Sequence, residues 1–204
     1  IAPKVLIEGP PRREVPILLR QTSFKALDEP VLFAGEHQGT HTARFGEIEQ
    51  RGVALTPKGR ELYDALLAEA GTGKSNLQHQ QQLADAFKAF PDSELFLRRR
   101  ELAYFRYRLT PAGEAHRHAF GRGDDPQPLI ERGWLVAQPI TYEDFLPVSA
   151  AGIFQSNLGS DEQARSQGSG SRADFEAALG CPVLDEFTLY QQAEDRSKRR
   201  CGLL

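Results

Sequence analysis

The passage from Thr40 to Leu55, which reads as one extended strand and then meets Thr56-Pro57, constrains this chain more than any other feature. Phe45, Ile48, Val53 and Leu55 are apolar there, and Arg44, Glu47, Glu49 and Arg51 are charged. Strand side chains alternate between faces, so a regular strand puts Glu47, Glu49 and Arg51 on one face, with Gly46, Ile48 and Gln50 on the other. A charged strand face meets either solvent or a polar cavity. Thr56 is placed to cap a helix, Pro57 suits its first position, and Leu62, Leu66 and Leu67 form the apolar stripe. Gly71 and Gly73 end it. A strand feeding a capped helix points to an α+β chain.

The flanking segments fit that class. Val15–Leu19 and Pro30–Ala34 read as short extended segments bounded by prolines, which cannot donate to a ladder. Gly35–Gly39 is a turn signal. A second helix is expected over Ser75–Phe90, with Leu77, Leu83, Phe87 and Phe90 facing inward. Leu102–Leu109 alternates as a strand, Leu129–Trp134 reads as a short helix, and Leu135–Thr141 as a further strand. Gly159–Ser171 is rich in Ser, Gly and Gln and reads as a mobile loop. Arg172–Leu179 and Leu184–Gln192 are helical stretches, and Arg196–Arg200 is a basic tail that reads as a solvated terminus. The echo of Leu55-Thr56-Pro57-Lys58-Gly59 in Leu109-Thr110-Pro111-Ala112-Gly113 is too short, with flanks too different, to read as a true internal repeat.

Bulk properties remove several function classes. The chain has 204 residues, enough for one sizeable core or two small ones. A net charge of −3 and a pI near 6.0 argue against a nucleic-acid binder that works through a broad basic surface. No apolar run approaches the ~18 residues of a membrane span, and Ile1–Pro10 lacks the pattern of a signal peptide. Cys181 and Cys201 are too few for a disulfide scaffold and are expected as free thiols in a reducing cytoplasm. Methionine is absent even at position 1, so the chain is expected to be processed or part of something longer.

Four motifs carry residue types suited to chemistry. Gly73-Lys74-Ser75 resembles the end of a phosphate-binding loop, but Ala68 stands where the first glycine is needed, and a helix precedes it instead of a buried strand. The run Leu55–Arg60 resembles the lead into the wing helix of winged-helix regulators, which also need a basic recognition helix upstream. His37 and His41 have metal-ligand spacing for a helix, with Glu47 and Glu49 nearby, yet Gly39 between them disfavours a helix. His116 and His118 follow a helix start and are expected at the surface.

The sharpest signal is Arg44-Phe45-Gly46-Glu47-Ile48-Glu49-Gln50-Arg51-Gly52. It resembles the last metal-binding strand of the vicinal oxygen chelate dioxygenases, where the glutamate before the isoleucine binds iron; by that match Glu47 is the ligand. Glu49 stands where those enzymes carry an apolar residue and is a candidate to support the ligand or, second to Glu47, to be the ligand itself. Three longer stretches, Glu8–Phe33, Gly39–Leu67 and Tyr142–Gly159, resemble the 2-oxoadipate dioxygenase/decarboxylase family.

The resemblance implies a curved mixed β-sheet of vicinal oxygen chelate type with inserted and C-terminal helices. Residues 1–56 would form the metal-site sheet segment. Residues 57–160 would form a helical insertion and the remaining sheet with a substrate-pocket loop. Residues 161–204 would form the mobile loop and C-terminal helices. It further implies Fe(II) held by two histidines and one carboxylate, with a 2-oxo acid and O₂ as small-molecule partners. The product would be 2-hydroxyglutarate from 2-oxoadipate, in lysine breakdown. On this chain the carboxylate matches Glu47, and the pocket segment matches Val148 and Ser149. The family's two histidines lie upstream of the matched region, so a missing N-terminal part or a second chain is expected to supply them. Two other readings stand beside this one: a non-catalytic 2-oxo-acid binding protein on the same scaffold, and a winged-helix DNA-binding regulator.

Overall fold

The computed structural model describes residues 5–18, 20–33, 37–70, 76–142 and 171–204. The chain is mixed α+β and divides into two compact units. The first comprises Ile1–Val53, Leu62–Ser93 and Thr141–Gly159; the second comprises Ala54–Glu61, Glu94–Ile140 and Ser160–Leu204.

In the first unit, β1 (Val5–Glu8), β2 (Arg20–Phe33) and β3 (His37–Gln50) form an antiparallel sheet in that order. The long strand expected from Thr40 is present, but it starts at His37 and ends at Gln50. Beyond it Val53 makes only isolated bridges, one of them a parallel pairing with Ile17. Pro30 does not end a strand as expected: it lies inside β2, opposite Thr40. Because β1 pairs only with Gln21–Phe24, β2 has an unladdered side at Pro30 among the described residues, and there the missing N–H costs nothing.

Helices α1 (Pro57–Ala70) and α2 (Asn76–Ala86) follow, and a 3₁₀ turn, Phe87–Ala89, closes α2. Phe87, Phe90 and Leu83 are buried, with Tyr63 edge-on to Phe87 at 5.2 Å. Each such side chain contributes about 1.5–3 kcal/mol of apolar burial. Arg13 closes this end of the unit. Its guanidinium donates to the carbonyls of Phe87, Phe90 and Pro91 at 3.2, 2.9 and 2.7 Å, and lies 3.6 Å from Asp92. It thus adds a donor to carbonyls at the end of the 3₁₀ turn, where Phe87 O also accepts from Phe90 N at 3.0 Å. Burial lowers its pKa, and Asp92 opposes that shift.

The second unit shows that the Leu-Thr-Pro-x-Gly echo is a structural repeat. Thr56 N donates to Leu102 O at 3.1 Å, Thr56 Oγ1 donates to Glu101 O at 2.7 Å, and Gly59 N donates back to Thr56 Oγ1 at 3.1 Å. Thr110 makes the same three bonds: N to Trp134 O at 3.0 Å, Oγ1 to Gly133 O at 2.7 Å, and from Gly113 N at 3.0 Å. Each accepting segment ends a short helix, α3 (Glu94–Arg99) or α5 (Pro126–Glu131), in the same way. Leu102 N returns to Leu97 O and Glu101 N to Arg98 O; Trp134 N returns to Leu129 O and Gly133 N to Ile130 O. This is the Schellman pattern, and both pivot residues have positive φ: 55° at Glu101 and 70° at Gly133. A Cβ on Gly59 would sit 2.0 Å from Leu102 O, and one on Gly113 2.0 Å from Trp134 O. The likeness lies in backbone geometry, which dissimilar flanking letters conceal.

Strands β4 (Phe105–Leu109) and β5 (Leu135–Pro139) pair antiparallel, and α4 (Pro111–Ala115) is capped by Thr110. Phe105, Tyr107 and Leu109 are buried while Arg106 and Arg108 are exposed, as the alternation predicts. After α6 (Ser171–Leu179), the basic tail is the end of a long helix, α7 (Glu186–Cys201), on which Arg196, Arg199 and Arg200 are exposed, as a solvated terminus requires. The reason lies at the open edge of β4. Phe105 N donates to Glu194 Oε2 at 2.8 Å, and Tyr107 N to Ser197 Oγ at 3.0 Å, so α7 satisfies strand N–H groups that β5 does not. Lys198 joins Glu194 at 2.6 Å and lies over the Tyr107 ring. Among the described residues no helix is long and apolar enough to cross a membrane.

The repeat makes opposite predictions at its two ends. Gly113→Ala forces a backbone shift and should lower Tm by several degrees. Glu101→Gly relieves the left-handed residue and should raise stability by about 1 kcal/mol, or roughly 2–4 °C in Tm. Thermal unfolding followed by circular dichroism checks both, and a stabilising Gly113→Ala would contradict the close approach. The thiols should also separate: Cys181 is exposed, whereas burial raises the pKa of Cys201. Mass spectrometry of the native chain alkylated near neutral pH should find the label on Cys181 and little on Cys201.

Candidate functional site

The residues singled out for metal chemistry lie on β3, and its pairing with β2 fixes their positions. Glu47 is opposite Thr22, which is opposite Ile7 on β1, so the three make one cross-strand row. Ile48 is opposite Gln21, but Gln50 is opposite Arg20, so Glu49 has no counterpart on β2. This β-bulge interrupts the alternation expected for Glu47, Glu49 and Arg51. Arg20 and Thr22 share a face of β2, so their partners Gln50 and Glu47 share that face of the sheet. The regular pattern would have placed Glu49, not Gln50, beside Glu47.

Arg20 is the residue that sequence reasoning missed. It is only 5% exposed, and its Nη1 donates to Pro10 O at 2.7 Å. A buried guanidinium on Glu47's face means that this end of the face is covered by protein instead of open to bulk water. Nothing in the letters around Arg20 signals this, because a basic residue entering a strand ordinarily stays in solvent.

The histidines fall elsewhere. His41 is opposite Glu29 and His37 opposite Phe33, both farther along β3. In an extended strand His41 lies about 20 Å from Glu47, and His37 about 33 Å. No single ion can bridge such spans, so His37, His41 and Glu47 do not form one site. His116 stacks on Trp134 at 4.5 Å, and its Nδ1 lies 2.8 Å from Ala112 O, a surface packing role. Val148 and Ser149, along with Gly73-Lys74-Ser75 and most of the Ser/Gly-rich stretch, lie outside the described residues. Among the described residues no group of three or more His, Cys, Asp or Glu is placed to hold a metal ion. Nor is there a helix before Thr56 among them to act as a DNA-recognition helix; strands occupy that region.

A polar cleft of about 660 Å³ in the second unit is the other place where charged groups converge. Several of its charged side chains already have partners. Lys198 pairs with Glu194, Arg98 bonds Glu94 and Gln127, and Asp125 caps α5 through Gln127 N. Burial and then Glu194 raise the pKa of Tyr107, which keeps its phenol neutral. The cleft is a packing seam for α7 on β4 more than a prepared reaction site.

Comparison with known proteins bears on the β3 strand. The family model for 2-oxoadipate dioxygenase/decarboxylase matches residues 1–157. The 2-oxoadipate dioxygenase/decarboxylase of Escherichia coli (strain K12) is 78% identical over 204 residues, covering 100% of this chain and 46% of that protein. Its counterpart from Pseudomonas putida is 53% identical over 211 residues, covering 99% of this chain and again 46% of the relative. Among solved structures, hydroxyglutarate synthase from Pseudomonas putida in complex with 2-oxoadipate superposes with a TM-score of 0.74 at 45% identity, over 96% of this chain and 44% of that one. A Shigella flexneri protein, YdcJ, which includes domain DUF1338, gives a TM-score of 0.76 at 62% identity, over 98% of this chain and 42% of that one. This chain therefore spans about half the length of the curated relatives it matches. On the strength of that matched span and those identities, the chain belongs to the 2-oxoadipate dioxygenase/decarboxylase family.

Proposed function

We propose that this chain supplies the carboxylate metal ligand, Glu47, and part of the substrate pocket of a cytoplasmic Fe(II)-dependent dioxygenase. The enzyme would convert 2-oxoadipate and O₂ to 2-hydroxyglutarate and CO₂, as a step in lysine breakdown. That equation balances without an external reductant, since loss of the carboxyl carbon as CO₂ and hydroxylation of the five-carbon remainder consume the two oxygen atoms of O₂. The observation that carries the reading is the place of Glu47 in the segment that resembles a vicinal oxygen chelate metal strand, on β3 at a register position sharing a sheet face with the buried Arg20. Family membership and the 2-oxoadipate complex of the Pseudomonas putida relative support it.

The described residues do not by themselves fit an Fe(II) ion. Glu47 offers one carboxylate, and the histidines of its own strand are too distant to join it. A two-histidine, one-carboxylate site then needs both imidazoles from the half of the relatives' length that this chain does not span. Held by Glu47 and those two histidines, Fe(II) would supply the binding and activation of the 2-oxo acid and O₂. This chain's own part is to present a carboxylate from β3, with Val148 and Ser149 offering a backbone or hydroxyl donor to the distal carboxylate of the substrate. The vicinal oxygen chelate architecture belongs to this same proposal.

The test is oxygen uptake on addition of Fe(II) and 2-oxoadipate to the chain completed with the remaining half of the family sequence. Glu47→Ala should reduce uptake by more than about 100-fold, since loss of a ligand should exceed the 10- to 100-fold effects seen for groups that merely support ligands. Full uptake by Glu47→Ala would remove Glu47 from the ligand role. Binding of 2-oxoadipate without any uptake would favour the non-catalytic binding protein.

A further inference from the structure

Not every group around the cleft of the second unit is committed to packing α7. Tyr104 and Tyr107 line it and are only 3% and 9% exposed. The Tyr104 ring lies against Tyr190 at 5.8 Å, and Lys198 Nζ sits 5.4 Å from the centre of the Tyr107 ring. Neither phenol oxygen has a hydrogen-bond partner among the described residues. Neither is sealed in, unlike Arg98 Nε, which is buried without a partner. Each hydroxyl therefore reaches open space, and the cleft is the open space these two residues line. Buried hydroxyls in folded proteins nearly always find a partner, so two unmet ones in one cleft point to a guest. Burial, and then Glu194, raises the pKa of both phenols, so both stay neutral and can donate.

The charges around them decide the class of guest. Glu194 is met by Lys198 at 2.6 Å and by the Phe105 N–H at 2.8 Å, and Asp125 by the Gln127 N–H at 3.0 Å. Lys58 and Arg99 are exposed and have no ion pair among the described residues, against the one similarly uncommitted carboxylate of the lining, Glu101. The first turn of α1 opens on the same cleft. Pro57 has no N–H and Thr56 Oγ1 accepts that of Gly59, which leaves the Lys58 N–H unused within the helix. A volume of about 660 Å³ suits an organic molecule of metabolite size more than a lone inorganic ion. We infer that this cleft binds a small organic anion, whose carboxylate or phosphate oxygens accept from the Tyr104 and Tyr107 hydroxyls beside Lys58. The site belongs to the second unit and does not rest on the reading of Glu47.

Calorimetric titration of the chain with glutarate, glycerol 3-phosphate and the neutral 1,5-pentanediol tests the inference. At least one of the two anions should bind saturably, and pentanediol should not; the stronger anion tells a carboxylate site from a phosphate-ester site. Tyr104→Phe and Tyr107→Phe should each weaken that binding by about 3- to 10-fold, the share of one hydrogen bond. Without anion, both variants should melt within about 2 °C of the parent chain, because hydroxyls with no protein partner hold nothing together. Amide NMR of the parent chain locates the guest: the Lys58 and Tyr107 resonances should move together, with one midpoint. If a phenylalanine variant fails to fold, those shifts still decide. No saturable binding of either anion, equal binding of pentanediol, affinity unchanged in both variants, or shifts confined to β3 would overturn the inference. So would a Tm lowered by several degrees without anion, since the hydroxyls would then be structural. None of these results bears on oxygen uptake by Glu47→Ala, so the two readings can fail separately.

Discussion

The site depends on one of the two register shifts in the pairing of β2 and β3, the one between Arg20 and Gln21. Thirteen pairs join these strands, and one extra residue, Glu49, sits between the partners of Arg20 and Gln21. A one-residue change in register exchanges the faces of everything beyond it. Had the pairing run on without the bulge, Gln50 would have left the face of Glu47 and Arg20 would have faced a different neighbour. A buried cation and a prospective ligand are therefore arranged by backbone count before any side-chain chemistry begins.

The second unit uses a different economy. The same five-residue device, a strand-ending leucine with a Thr-Pro cap and a glycine pressed on a carbonyl, docks twice onto the turned end of a short helix. Both dockings leave a residue in the left-handed region, Glu101 in one copy and Gly133 in the other. α7 then supplies Glu194 and Ser197 to β4, so the exposed edge of a two-stranded sheet is closed by side chains instead of a third strand. Short sheets of this kind are marginal alone, and the helix makes the ladder's outer N–H groups tolerable in a buried setting.

Local grammar was legible wherever one residue type has one dominant physical role. Thr56-Pro57 marked the start of α1, Gly180 the end of α6, and the alternation over Phe105–Leu109 the buried and exposed faces of β4. What the letters concealed depends on partners distant in sequence. Arg196–Arg200 reads only as a solvated basic terminus until Ser197 is seen to accept from Tyr107 N. The two Leu-Thr-Pro-x-Gly copies look unrelated until Leu102 and Trp134 are seen in equivalent places. The bulge at Glu49 follows from where Arg20 and Gln50 meet across strands, and strict alternation read along β3 alone predicts the wrong neighbour. Glu47 is singled out only by the resemblance of its segment to a known metal strand, and the burial of Arg20 has no signal in the letters around it.

The central claim is that the Glu47 carboxylate binds the metal of a site whose imidazoles come from outside this chain. A crystal of the chain joined to the remaining half of the family sequence, soaked with Mn(II) as a substitute for Fe(II), tests it by anomalous scattering. The account predicts a peak within about 2.0–2.3 Å of a Glu47 carboxylate oxygen, the range for a hard divalent cation on oxygen, with two histidine nitrogens completing the set. A peak bound by Glu49, or one with no atom of β3 in its coordination sphere, would contradict it.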